Sequence, residues 1–293
     1  MIFWAFSFIW FKIANTSFQP TTIVFFRLIL AIVILTSWLA FTKRFQKIRK
    51  EDIKLFLLLA VFEPFLYFLG ESNGLTYVSS TTCSVIISTI PVIAAVGAWL
   101  IFRERLRILN YAGIFLSFIG IIVFVITPGG ALSFNYRGLL LLGLAVVSAV
   151  GYNLTLSRLV HKYSPVFIVH VQNCIGALLF LPVFIFADLP GFHPAAHSLR
   201  SYLPIIELSL FASCGAFILF AFSVRNMGIT KANVFTNFIP IFTAVFSFII
   251  LREKLTFQNI AGMAIVITGI LLSQASGKRQ DLDDALLLTG KTA

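Results

Sequence analysis

The chain has 293 residues, 59% of them apolar and only 11% charged, with a mean hydropathy of +0.98. A soluble domain carries roughly 25% charged residues because it needs a wet surface, so this composition excludes an ordinary soluble domain and turns the surface toward lipid. The formal charge of +11 does not mark a nucleic-acid binder, because the basic residues sit in short segments between apolar runs.

A helix needs about 20 mostly apolar residues to cross a bilayer. In chain order the sequence predicts ten such spans, over 2–15, 20–42, 53–74, 79–102, 108–126, 138–157, 165–187, 202–224, 232–251 and 257–275. The first is short. Met1-Ile2-Phe3-Trp4 lacks the basic opening of a cleavable signal peptide. Cys83, Cys174 and Cys214 all lie inside apolar runs and are odd in number, which argues against a disulfide framework.

With the N-terminus in the cytoplasm, 16 of the 22 lysines and arginines fall on the inner side and four on the outer, and Lys12 and Arg27 lie within spans. This bias predicts that both termini are cytoplasmic. The most basic inner segment runs from Lys43 to Lys54, and its charge suits topology and lipid headgroups.

Residues 85–124 align without gaps on residues 234–273, at an offset of 149, with 14 of 40 positions identical. The matches include Pro91 with Pro240, Arg103-Glu104 with Arg252-Glu253, Gly113 with Gly262 and Gly120 with Gly269. Apolar composition alone does not align a proline, an Arg-Glu pair and two glycines at one spacing. Pro20 and Pro165 both open a span after a polar segment. The chain therefore reads as an all-α membrane protein of ten helices, built as two five-helix repeats over 1–126 and 138–275 with a tail over 276–293. Five is odd, so the second copy is inverted, an arrangement of transporters whose substrate sites lie near the midplane. The two Arg-Glu turns read as helix corners with local ion pairs.

Several residues carry this resemblance further. Trp4-Ala5-Phe6-Ser7-Phe8 running to Lys12, Phe26-Arg27-Leu28, and Ile90-Pro91-Val92 through Trp99-Leu100 to Arg103-Glu104-Arg105-Leu106 resemble motifs of the EamA-type transporters of the drug/metabolite transporter superfamily. Ile239-Pro240 to Arg252-Glu253-Lys254-Leu255 repeats the last of them. Ala5 stands where the family usually has Gly, and Ile90 where it often has Glu. The resemblance covers residues 2–275. It implies alternating-access transport of small metabolites, with export of amino-acid-like compounds favoured and import of a nucleotide-like or methyl-donor metabolite as the alternative. It places the chain in the plasma (cell inner) membrane.

Charged residues inside spans are costly and usually functional. Glu63 stands beside Pro64, mid-span, where an ionised group costs on the order of 3 kcal/mol. It is the first candidate for the substrate path or for a coupled proton, against a protonated packing residue as the bland reading. Lys12, Arg27, Glu71 and Glu207 form a second group in the outer third, as a gate or as buried ion pairs. Asn153 in the sixth span and Asn233 and Asn237 in the ninth are polar positions in apolar runs, Asn237 and its repeat-mate Ser88 stand one turn before the expected kinks at Pro240 and Pro91, and Tyr67, Tyr152, Trp4 and Trp10 are candidates for an aromatic wall. The small residues Ala94, Ala98, Ala145, Ala149, Gly113, Gly120, Gly262 and Gly269 are read as packing positions.

Gly70-Glu71-Ser72-Asn73-Gly74 matches a serine-hydrolase pattern, but it closes a span instead of joining strand to helix. His193 and His197 lack a third metal ligand, and no ATP-binding loop is present. No metal or cofactor is expected. The expected partners are a small-molecule substrate, membrane lipids and a coupled proton, with the chain as monomer or homodimer. An integral membrane enzyme acting on lipid-linked substrates is the reading from another class, and it needs a polar catalytic cluster at one interface.

Overall fold

The computed structural model describes residues 1–94, 108–125, 135–193 and 198–275. Arg103-Glu104, Ala98, His197 and the 276–293 tail lie outside them. The described residues are helical, with no strand among them. Six helices are long and apolar enough to cross a membrane: Pro20–Thr42, Lys50–Tyr77, Tyr136–Leu159, Pro165–Gly191, Leu199–Met227 and Lys231–Leu251. Each falls on a predicted span. Four shorter apolar helices cover Ile2–Ala14, Ser80–Ala94, Ile108–Phe124 and Phe257–Ser273. Large apolar side chains point outward, among them Leu199 at 90%, Phe41 at 89% and Phe186 at 83% exposure. Water would not tolerate such a surface on a monomer, whereas lipid does.

We number the helices α1 (Ile2–Ala14), α2 (Pro20–Thr42), α3 (Ile53–Ala60), α4 (Tyr67–Tyr77), α5 (Ser80–Ile87), α6 (Ile108–Val125), α7 (Tyr136–Leu159), α8 (Pro165–Val183), α9 (Leu199–Glu207), α10 (Phe217–Met227), α11 (Ile229–Val234), α12 (Ile239–Phe246) and α13 (Phe257–Ala275). Wide π-type turns join α3 to α4 over Val61–Leu66 and α9 to α10 over Leu208–Ala216. The chain forms two compact units, Met1–Ile87 with Phe134–Lys254, and Ser88–Ser133 with Leu255–Ala293.

In the first unit, α2 and α8 both start on a proline, whose missing N–H costs nothing at a helix start. They run antiparallel and are tied at both ends. Asp188, just past α8, accepts from the Thr22 amide (2.7 Å) and hydroxyl (2.8 Å) in the first turn of α2, filling the cap that Gln19 leaves open. α2 ends on Lys43 in the left-handed region, with Arg44 N–H reaching back to Leu39. Beyond that end, Gln46 accepts from the Ser164 amide (2.8 Å). Buried Asp52 accepts from Lys162 (2.6 Å) and from the Tyr163 hydroxyl (2.9 Å). The bond to Asp52 raises the Lys162 ammonium above its ordinary pKa.

α4 packs on α7 through small residues. A Cβ on Gly70 would strike the Leu141 carbonyl, and one on Gly74 would meet Leu142 at 2.9 Å. Ser72 donates to the Phe68 carbonyl of its own helix. The hydrolase-like pattern is therefore a helix contact.

The predicted local ion pair at Arg252-Glu253 is not formed. Arg252 takes the left-handed conformation (φ 55°) and the Glu253 amide bonds back to Ser247 (3.1 Å). The Glu253 carboxylate instead accepts from the Ser80 amide (2.9 Å), the Thr81 amide (3.3 Å) and the Thr81 hydroxyl (2.8 Å). Unpaired N–H groups at a helix start outcompete an adjacent exposed arginine for a carboxylate.

The second unit holds α6 and α13, packed antiparallel with backbones in contact. Gly113 faces Gly269 and Ser273, Gly120 faces Val266 and Gly262, and none has room for a Cβ. Asn110 donates to the Ser273 carbonyl (2.6 Å) and Asn259 to the Phe124 carbonyl (2.9 Å). At the 149-residue offset Asn110 corresponds to Asn259 and Phe124 to Ser273. Each bond is thus the image of the other when the two helices are exchanged, the signature of a local two-fold relation.

Candidate functional site

The polar groups of the first unit gather around the interruption between α3 and α4. Glu63 has an extended backbone (φ −150°, ψ 121°) inside an otherwise helical run, and its peptide bond to Pro64 is cis. Pro64 cannot donate a backbone hydrogen bond, so the α pattern stops here. Neighbouring helices fill the gap closely. Pro64 lies against Gly176 of α8 and the Phe62 ring against Gly151 of α7, at positions where a Cβ would collide. Phe65 meets Phe180 edge-on at 5.3 Å.

Glu63 is 6% exposed, and its carboxylate makes no hydrogen bond or ion pair among the described residues. Tyr152 of α7 lies within its electrostatic range, and the Tyr152 hydroxyl donates to the Gln172 side-chain carbonyl at 3.4 Å. Gln172 and Asn173 are one turn before Gly176 and so share the α8 face that meets Pro64. Among the described residues their amide nitrogens have no partner, although the residues are 0% and 2% exposed. Sequence reading passed over both. Two adjacent amide residues in the apolar run 165–187 were the available signal.

The second predicted group is brought together only in part. Arg27 is 3% exposed, donates from Nε to the Ser213 hydroxyl (2.8 Å) and lies 4.3 Å from the centre of the Phe68 ring, a cation–π contact. Glu71, Tyr67 and Glu63 all act on it electrostatically. Glu71 accepts from the Tyr67 hydroxyl at 3.0 Å. Lys12 donates to the Leu75 carbonyl at 2.5 Å, and Glu207 is half-buried at the end of α9. Among the described residues no ion pair joins these four. A backbone carbonyl, two hydroxyls and a ring meet Lys12, Arg27 and Glu71 instead, and Glu207 makes no hydrogen bond among the described residues.

Asn153 donates to the Asn233 side chain at 3.5 Å. Asn237 is 3% exposed, and among the described residues neither of its side-chain atoms is partnered; Thr243 and Ser247, farther along the same helical run, also lack partners there. Ser88 and Pro91 belong to the second unit, and Pro240 stands in the first turn of α12. Trp10 is half-buried and stacks on Phe6 (5.2 Å) and Phe211 (5.6 Å), while Trp4 packs on Phe217 and Phe220. Chemically, among the described residues, the assembly offers an unpaired carboxylate, free amide groups and a buried guanidinium inside an apolar protein. It contains no group of three or more metal-ligating side chains among the described residues.

Comparison with known proteins agrees with this architecture. An archaeal protein described as an uncharacterized transporter, from Archaeoglobus fulgidus, is 27% identical over 94% of this chain and 94% of its own. The uncharacterized transporter YcxC of Bacillus subtilis is 25% identical over 90% of this chain and 87% of its own. A solved crystal structure, 12% identical, matches with a TM-score of 0.67 over 95% of this chain and 94% of its own, which shows a shared fold. The EamA-like transporter family model matches residues 1–126 and 136–274. The chain is a multi-pass membrane protein and belongs to the EamA-like transporter family.

Proposed function

We propose that this protein is a secondary transporter of small organic metabolites, working by alternating access between two inverted five-helix repeats. Its cargo is amino-acid-like and moves outward across the plasma membrane, with both termini in the cytoplasm. The reading rests above all on Glu63. A buried carboxylate without a partner at a helix break costs stability and persists where a ligand or proton meets it. The exchange relation between α6 and α13 supports duplication with inversion, and the distribution of lysine and arginine supports the orientation.

The test is counterflow in proteoliposomes loaded with a metabolite panel. Wild-type protein is expected to exchange at least one amino-acid-like compound, and Glu63→Gln to lose most of that flux with its folded yield intact. Normal flux with unchanged pH dependence in Glu63→Gln would remove Glu63 from the path. Absence of flux for every compound would overturn the transport reading.

A further inference from the structure

The corner between α4 and α5, residues 77–80, is held by two opposite charges from two other helices. Lys12, in the last turn of α1, donates to the Leu75 carbonyl near the end of α4. Glu253, at the turn after the α12 run, accepts from the amides of Ser80 and Thr81 and from the Thr81 hydroxyl at the start of α5. Each charge matches the helix end it meets. The C-terminal carbonyls of α4 carry partial negative charge and attract an ammonium, and the N-terminal amides of α5 carry partial positive charge and attract a carboxylate. Lys12 and Glu253 also lie within electrostatic range of one another. The Ser80 hydroxyl adds a bond to the Phe8 carbonyl of α1 (3.5 Å).

We infer that Lys12 and Glu253 form a two-charge clamp that fastens this end of the first unit, and that the clamp must release for the path to open there. The inference rests on the alternating-access reading. Its physical basis is that α1 and the α12 run meet the corner through a few strong, directional bonds, as well as through side-chain packing. Charge-assisted hydrogen bonds are about twice as strong as neutral ones and are lost over a short displacement. A corner held in this way has two states, fastened or free. The left-handed turn at Arg252 is what aims Glu253 at α5.

The test uses the full-length protein in proteoliposomes, in a background with Cys83, Cys174 and Cys214 replaced by serine. One reporter is Ser84→Cys, which replaces a buried residue one turn into α5. The other is Thr155→Cys, which replaces a buried residue near the opposite end of α7. Labelling by a membrane-impermeant maleimide is read for each, alongside counterflow and the thermal melt. Lys12→Met and Glu253→Gln are each expected to raise labelling at Ser84→Cys about fivefold and to lower it at Thr155→Cys, as a two-state equilibrium does when one strong bond is removed.

Because the two helix ends have fixed polarity, the exchange Lys12→Glu with Glu253→Lys should not restore the wild-type pattern. Restoration would mean that a direct Lys-Glu pair matters and would overturn the clamp. Unchanged labelling at both reporters in Glu253→Gln, which keeps the shape of the side chain and one acceptor, would also overturn it. Shifted labelling without counterflow of any compound would uphold the clamp and reject the transport reading. Normal counterflow with unshifted labelling would do the reverse.

Discussion

At the scale of single residues, the two buried glutamates of the third span differ in what they touch. Glu71 has the Tyr67 hydroxyl and the field of Arg27, whereas Glu63 has no hydrogen bond among the described residues. Gln172 and Asn173 extend this contrast, since each leaves an amide nitrogen unpaired in a dry setting. Replacing an unsatisfied buried polar group by an apolar one of similar shape is close to neutral for stability. Asn173→Leu is therefore expected to leave the thermal melt unchanged or slightly raised while reducing counterflow. A sharp fall in melting temperature would show instead that Asn173 is a packing residue. Arg27→Lys is expected to lower the melting temperature, because an ammonium supplies neither the Nε bond to Ser213 nor a planar group over Phe68.

At the scale of elements, close approach of backbones sets the tolerances. Gly176 has Pro64 where its Cβ would stand, while a Cβ on Gly143 would meet nothing within 4 Å among the described residues. Gly176→Ala should cost about 1–3 kcal/mol through overpacking, and Gly143→Ala should be neutral or stabilising because alanine suits a helix better. Guanidinium or thermal unfolding of the two variants side by side separates these effects. The helix limits were legible in the sequence because apolar runs and proline starts such as Pro20 and Pro165 are local signals. The capping partners were not. Asp188 reaches Thr22 across 166 residues and Glu253 reaches Thr81 across 172, and no local pattern records such a pairing.

At the scale of the whole molecule, the two ends of the α2–α8 pair are fastened by different chemistry. One end uses a carboxylate on neutral donors and the other a charged pair, Asp52 with Lys162. The Lys162 pKa is raised in the folded protein. Its contribution is therefore complete below the ordinary lysine pKa and is lost as pH rises through the elevated value. The melting temperature of the wild type should fall more steeply at alkaline pH than that of Lys162→Met. Equal slopes would show that the pair adds nothing to stability. The exchange relation between α6 and α13 predicts that Asn110→Leu and Asn259→Leu lower the melting temperature by similar amounts, since each removes the image of the other's bond. Unequal losses would show that the relation does not extend to energetics.

Composition and periodicity by themselves determined that this chain lives in a membrane as apolar helices, and the 149-residue offset revealed an internal repeat over 40 positions. These are properties of local runs and of spacing, which a linear sequence carries in full. Which polar groups are paired was decided only by tertiary structure, because a carboxylate takes the nearest adequate donor in space. Lys12, Arg27 and Glu71 found a carbonyl, a hydroxyl with a ring, and a phenol in place of one another. Glu63 found no hydrogen-bond partner among the described residues, and Glu253 left its neighbour for a helix start far away in the chain.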